Sequence, residues 1–234
     1  MRTQKAKAPA PPSREAERRR TILRAAIQVF AKKGYHGCRI SDVAREAGVA
    51  YGLVYHYFHN KEELLSSVFE VSWSGFVQRV REAARGPGGL GPQVRAITTL
   101  AFEAYRTDPR AVKVLILEIA RSPAGNTINR GSAFADVIRM TGRMFEDAKK
   151  RGELRADLEP TLCAASLFGA IEMGLTVLVL GLLPADDVAA TGRAARQVAE
   201  TFLRGVLPQG LSAVETETWK TEPSSTRSKV QRRS

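Results

Sequence analysis

Residues 38–64 read CRISDVAREAGVAYGLVYHYFHNKEEL, and their spacing decides how the first part of the chain folds. Ala44 is followed by Gly48 four residues on and by Val54 six residues after that. A small side chain at Ala44 lets two short helices approach closely, and Gly48 can take the left-handed backbone that ends the first of them. This predicts a helix-turn-helix. Ile40, Val43, Ala47, Val49, Val54 and Phe58 fall where a three-helix core needs apolar groups, leaving Ser41, Arg45, Tyr51, Gly52, Tyr55 and His56 to face outward.

A recognition helix offers its N-terminal half to base edges while flanking elements grip phosphates. Here that half is Tyr51, Gly52 and Leu53: a hydroxyl on a flat ring, a position open to close backbone approach, and an apolar side chain suited to a thymine methyl. None of the three makes a bidentate base contact, so part of any specificity must come from duplex shape. Arg39, Ser41 and Arg45 can add base or phosphate contacts from the preceding helix. Successive residues on a helix point about 100° apart, so Tyr55, His56, Tyr57 and Phe58 divide between contact and core. Lys61 opens the next helix, where an ammonium and unpaired amides can hold a phosphate together.

Toward the N-terminus, Ile22, Ala26, Val29 and Phe30 form one stripe of a helix over about 14–33, closed by Gly34. Residues 1–13, with Pro9, Pro11 and Pro12, are expected to be a disordered basic arm. The chain carries a formal charge of +12, unevenly placed. Residues 1–33 hold ten Lys or Arg against two acids, residues 34–207 hold 21 against 19, and residues 208–234 hold five against three. The excess precedes the helix-turn-helix, and Arg18, Arg19, Arg20 and Arg24 are a footprint suited to a polyanion such as nucleic acid.

Toward the C-terminus, Asn60 caps a helix over 61–85 with Glu63 at its third position. Its apolar groups, Leu64, Val68 and Phe69 early and Trp73, Phe76 and Val80 late, let it bury one end in each of two domains. GPGGLGP at 86–92 ends it. Further helices are expected at about 92–107, 110–121, 128–151, 158–182 and 186–206, with no strand pattern, and a flexible basic tail at 208–234. The architecture is therefore all-α: a helix-turn-helix domain over 14–60, then a helical domain over 61–207.

Two cysteines, Cys38 and Cys163, lie in segments of different character and give no disulfide framework. The N-terminus lacks the apolar stretch of about 7–15 residues of a secretory signal, so a cytoplasmic location is expected. Residues 161–183 are long enough to span a bilayer but carry Glu172 near their middle, which favours a buried interface helix. All three histidines, His36, His56 and His59, lie before the larger domain, which leaves that domain no imidazole for acid–base work and argues against an enzyme. His36, Cys38 and His59 lack a four-ligand metal spacing, and no cofactor is implied.

The stretch from Gly34 to Leu64 resembles the DNA-binding signature of the tetracycline-repressor (TetR) family of transcriptional regulators, including the Tyr-x-Tyr-Phe end of the recognition helix and the Lys three residues later. The resemblance implies a three-helix DNA-binding domain and an all-helical domain that dimerises through its last two helices and encloses a ligand pocket. At matching positions it implies base contact near Tyr51 and Gly52 and phosphate contact from Tyr55, His56, Tyr57 and Lys61. The sequence departs from the pattern at Cys38 and Arg39, where the family commonly places Thr or Ser as cap and phosphate ligand; Ser41 is the substitute. GYHGCRISDVAREAGVA, with GELRADLEP and LFGAIE later, is similar to repressors of fatty-acid breakdown that answer to acyl-coenzyme A.

In the larger domain Trp73, Phe76, Phe102, Tyr105, Phe134, Phe145, Phe168 and Met173 are candidate pocket residues, and Arg121 and Glu172 are charges in apolar runs that need a partner or a ligand. Ala164, Ala165, Gly169, Ala170 and Gly174 permit close helix approach, and Ala195, Val198, Phe202 and Val206 supply a second stripe. Burying both stripes asks for a homodimer, with recognition helices roughly 34–36 Å apart on a near-palindromic operator. The expected function is repression relieved by an apolar effector, acyl-coenzyme A being the candidate. An architectural DNA-binding protein without effector is the alternative.

Overall fold

The computed structural model describes residues 13–119, 130–183 and 188–208, with the side chains of 117–119, 130–133 and 188 outside that description. All regular structure among the described residues is helical. Most of residues 1–13, Arg121, and the tail beyond residue 208 therefore lie outside it.

Helix α1 (Arg14–Gly37) is capped by Ser13, whose hydroxyl accepts from the Ala16 amide at 3.2 Å, with Glu15 and Glu17 in the first turn. The chain breaks from helical geometry at Gly34 as expected, but resumes one turn to Gly37, which buries Tyr35. Helix α2 (Ile40–Ala47) ends at Gly48, whose φ of 65° is the left-handed conformation the spacing called for. Helix α3 (Tyr51–Tyr57) follows, and Val54 and Phe58 are fully buried beneath it.

Helix α4 (Lys61–Ala84) starts at Asn60, whose Oδ1 accepts from the Glu63 amide at 2.7 Å. The Glu63 carboxylate returns to the His59 amide and ring. The first half of α4 (Leu64, Leu65, Val68, Phe69) shares a core with α1, α2 and α3, while Val80 lies in a second core. The first core thus extends past residue 60, and Val114, from the body of the protein, completes it.

Helix α5 (Leu90–Thr107) begins inside the glycine-rich break, two residues before the expected start. The reason is distant in sequence: the Glu153 carboxylate accepts from the Leu90 amide at 2.7 Å and replaces a local cap. After α6 (Pro109–Lys113), capped by Asp108, the chain continues as a π-helical segment, Val114–Ile119, instead of the single α-helix expected there. Helices α7 (Arg130–Lys150), α8 (Pro160–Val179) and α9 (Val188–Val206) complete the larger core.

Helix α8 is long and apolar enough to cross a membrane by length and composition. One of its faces, however, packs in the larger core through Ala164, Leu167 and Ile171. An added Cβ at Gly174 would meet Phe102 at 3.0 Å and Val198 at 3.1 Å, so this glycine serves the contact within the subunit. The α9 stripe differs from expectation as well. Ala195 and Val206 are buried within the chain, and Val198 and Phe202 pack against the same core.

Candidate nucleic-acid interface and effector cavity

The outward face of α3 carries Tyr51 and Tyr55, 53% and 42% exposed, with Gly52 and His56 beside them. The Tyr51 and Tyr55 hydroxyls share a hydrogen bond at 3.2 Å, and the rings meet edge to face at 5.1 Å. This hydrogen bond, with some burial, raises the Tyr55 phenol above its ordinary pKa. Leu53 and Tyr57 are half-buried, and Tyr57 stacks edgewise on His56. The pair is held rigidly because α3 is anchored by Val54 and Phe58 directly beneath.

The start of α2 is built around Asp42. Its carboxylate accepts from the Arg39 amide at 3.0 Å and lies 2.8 Å from the Lys33 ammonium and 2.6 Å from the Arg45 guanidinium. The Lys33 bond first, then the Arg39 amide, hold its pKa below the ordinary carboxylate range. Arg39 stands at the cap position without an acceptor side chain, so only the return half of a capping box exists. Cys38 is buried, its thiol on the Tyr35 carbonyl at 3.3 Å. Arg39, Ser41 and Arg45 are exposed, as expected of contact residues.

Lys61 is turned inward. Its ammonium donates to the Tyr35 carbonyl at 2.7 Å and the Cys38 carbonyl at 3.1 Å, over the Tyr35 ring at 4.4 Å. Two of its three N–H groups therefore pin the α1–α2 connection. Arg19 is likewise engaged, bonded to Ser67 and lying over Phe58 at 5.2 Å, whereas Arg18, Arg20 and Arg24 are exposed.

Behind this domain lies a largely apolar cavity of about 300 Å³ between α4, α5, α6, α7 and α8. Trp73, Phe76, Phe134, Phe168 and Glu172 line it. Trp73 stacks on Phe69 at 5.5 Å and packs Phe134 at 4.6 Å, and its indole N–H is buried with no acceptor among the described residues. The other candidates lie elsewhere. Phe102 and Phe145 are fully buried core, Tyr105 faces a second groove, Met173 is exposed on α8, and Arg121 is outside the described residues. The reason is common to the core pair: helical periodicity marks an inward face without saying whether it meets a wall or a void. Sequence reasoning missed Arg79 and Ile116, which also line the cavity.

Helix α6 and the π segment connect the two regions. Val112, Leu115 and Ile116 border the cavity, while Val114 inserts into the helix-turn-helix core. Arg110 bonds to Gln28 of α1.

Residues 22–68 match the profile of the bacterial regulatory proteins of the tetR family. The chain is 27% identical over 168 residues to the fatty acid metabolism regulator protein of Bacillus subtilis, covering 72% of this chain and 87% of that one. It is 30% identical over 149 residues to the HTH-type transcriptional repressor NicS of Pseudomonas putida, covering 62% and 70%. The crystal structure of the transcriptional regulator FadR from Bacillus subtilis in complex with stearoyl-CoA superposes with a TM-score of 0.70 at 25% identity, covering 80% of this chain and 98% of that chain.

Proposed function

This chain belongs to the TetR family of bacterial regulatory proteins, and from that premise we propose that it is a homodimeric repressor whose operator is released when a long-chain acyl-coenzyme A fills the cavity. It is a DNA-binding transcriptional regulator and not an enzyme. Bacterial transcription takes place in the cytoplasm, and that is where the protein works.

The observation that carries the reading is the shared position of α6 and the π segment. One side borders a cavity of ligand size, and the other supplies Val114 to the core that holds the exposed tyrosine pair. An apolar chain wedged against Leu115 and Ile116 displaces Val114 and tilts α4, and so changes the separation of two recognition helices. A ligand that binds this state better than the DNA-competent one shifts the equilibrium toward release. Stearoyl-CoA is the ligand in the Bacillus subtilis FadR complex, and the apolar lining here suits such a chain.

The dimer reading rests on α8. Leu162 (67% exposed) and Met173 (60% exposed) lie along an outward face with Ala165 and Gly169, and Leu180 extends it past the helix end. A four-helix seam would cover this face and set the recognition helices roughly one DNA turn, about 34–36 Å, apart. Tyr51, Gly52 and Leu53 then meet base edges, while Arg39, Ser41, Arg45, Tyr55, His56 and Tyr57 meet base edges or the backbone.

Selection of duplexes from a random pool by the purified protein tests the reading. An inverted repeat should emerge, and stearoyl-CoA should release it. Enrichment of no sequence, or complexes indifferent to stearoyl-CoA and palmitoyl-CoA, would refute it.

A further inference from the structure

A second opening, a groove of about 840 Å³, lies between the helix-turn-helix domain and the body. Its charged lining is Lys32, Lys33, Arg45, Arg110 and Lys113 against Asp42 and Glu46, five cations to two carboxylates. Asp42 is paired with Lys33 and Arg45, which leaves Lys32, Arg110 and Lys113 against Glu46 outside that cluster. The apolar cavity has the opposite balance, with Arg79 against Asp108 and Glu172.

We propose that this groove is a phosphate-binding subsite that takes the charged, nucleotide-type head of the effector whose acyl chain occupies the cavity. The proposal rests on the acyl-coenzyme A reading above. A multiply charged head is repelled from a cavity holding more acid than base and stabilised where cations outnumber acids. The two openings share one wall. On α6, Arg110 and Lys113 face the groove, while Ala111 and Val112 face the cavity. On α8, Leu175 borders the cavity and Val179 the groove, one turn or about 6 Å further along. A flexible linker that crosses one helix diameter, about 10–12 Å, joins the two.

The placement gives the head a task. Lys32 and Lys33 of α1 and Arg45 of α2 form one bank, and Arg110 and Lys113 of α6 form the other. A polyanion between them ties the DNA-binding domain to the body and draws Arg45 away from a DNA phosphate, so the head adds to release instead of merely anchoring the tail.

The test compares palmitoyl-CoA, palmitate and coenzyme A on the full-length protein and on the double variant Lys32→Glu/Lys113→Glu, after thermal melting confirms that the variant folds. Wild type should bind palmitoyl-CoA at least tenfold tighter than palmitate, with an advantage that shrinks as salt rises. The variant should lose at least tenfold for palmitoyl-CoA and keep its palmitate affinity. Equal palmitoyl-CoA binding by wild type and variant would overturn the subsite while leaving the effector reading intact. Should wild type bind neither palmitoyl-CoA nor palmitate, the effector reading fails. Coenzyme A alone then decides the groove: binding lost in the variant sustains a phosphate site, and no binding to wild type removes it. If the variant does not fold, Lys113→Gln alone carries the comparison, with a smaller loss for palmitoyl-CoA expected and an unchanged affinity refuting the subsite.

Discussion

The tyrosine pair on α3 and the aromatic cluster around Trp73 use similar rings for opposite ends. Tyr51 and Tyr55 project from a seven-residue helix clamped by buried Val54 and Phe58, so their geometry is set before any partner arrives. Trp73, Phe76 and Phe134 surround a void, and the Trp73 indole N–H has no acceptor among the described residues. One region is preorganised at the cost of adaptability; the other leaves volume and a donor to be satisfied by whatever enters.

Substitutions in the two regions should therefore separate stability from binding. The largest effect belongs to the clamp: Phe58→Ala should cost about 3–5 kcal/mol, seen as a lower urea midpoint together with lost DNA binding. Phe134→Ala, at the half-open cavity wall, should alter ligand affinity with a far smaller shift in that midpoint. If the two midpoints fall equally, the contrast between clamp and void is wrong.

Next comes Lys61→Ala, which strips two carbonyls of a charged donor and should cost about 1.5–3 kcal/mol. The salt dependence of DNA binding sharpens this. With Lys61 acting as a pin, the slope of log K against log salt stays unchanged; a fall of about one unit would show that its third N–H reaches a phosphate.

A smaller effect should appear in acid. Arg151 first, and the Leu90 amide as well, hold the Glu153 carboxyl below its ordinary range. A carboxylate with a depressed folded pKa contributes stability that is present above its unfolded value, about 4.3, and lost as pH falls through the lower folded value. The melting temperature should drop below about pH 4, and Glu153→Gln should flatten that drop while lowering stability at neutral pH.

The smallest stability change is expected for Tyr51→Phe, within about 0.5 kcal/mol. It should nevertheless move the Tyr55 phenol down toward its ordinary pKa, visible in ultraviolet titration, and alter which duplexes are selected.

How far each region could be read from sequence follows the same division. Ala44, Gly48 and Val54 act within a dozen residues, and local spacing was enough to place α2, the turn and α3. The inward turn of Lys61 was hidden because its acceptors, the carbonyls of Tyr35 and Cys38, belong to a turn more than 20 residues earlier whose shape no side-chain pattern encodes. In the body, periodicity found the inward faces of Phe102 and Phe145 yet could not tell a packed wall from a void. Arg79 escaped notice because a cation on α4 looks like solvated surface until α5 and α8 are in place. Aromatic character picked out Trp73, Phe76, Phe134 and Phe168, which line the cavity from α4, α7 and α8, together with Phe102, Tyr105 and Phe145, which do not.

Val114 has a bearing on how the molecule comes apart. A valine from the middle of the body fills the core of the head, so the head loses part of its interior once the body melts. Calorimetry of the intact protein should then register one heat-absorption peak, and a head expressed alone over residues 14–84 should behave as a loosened globule that Val114 no longer plugs.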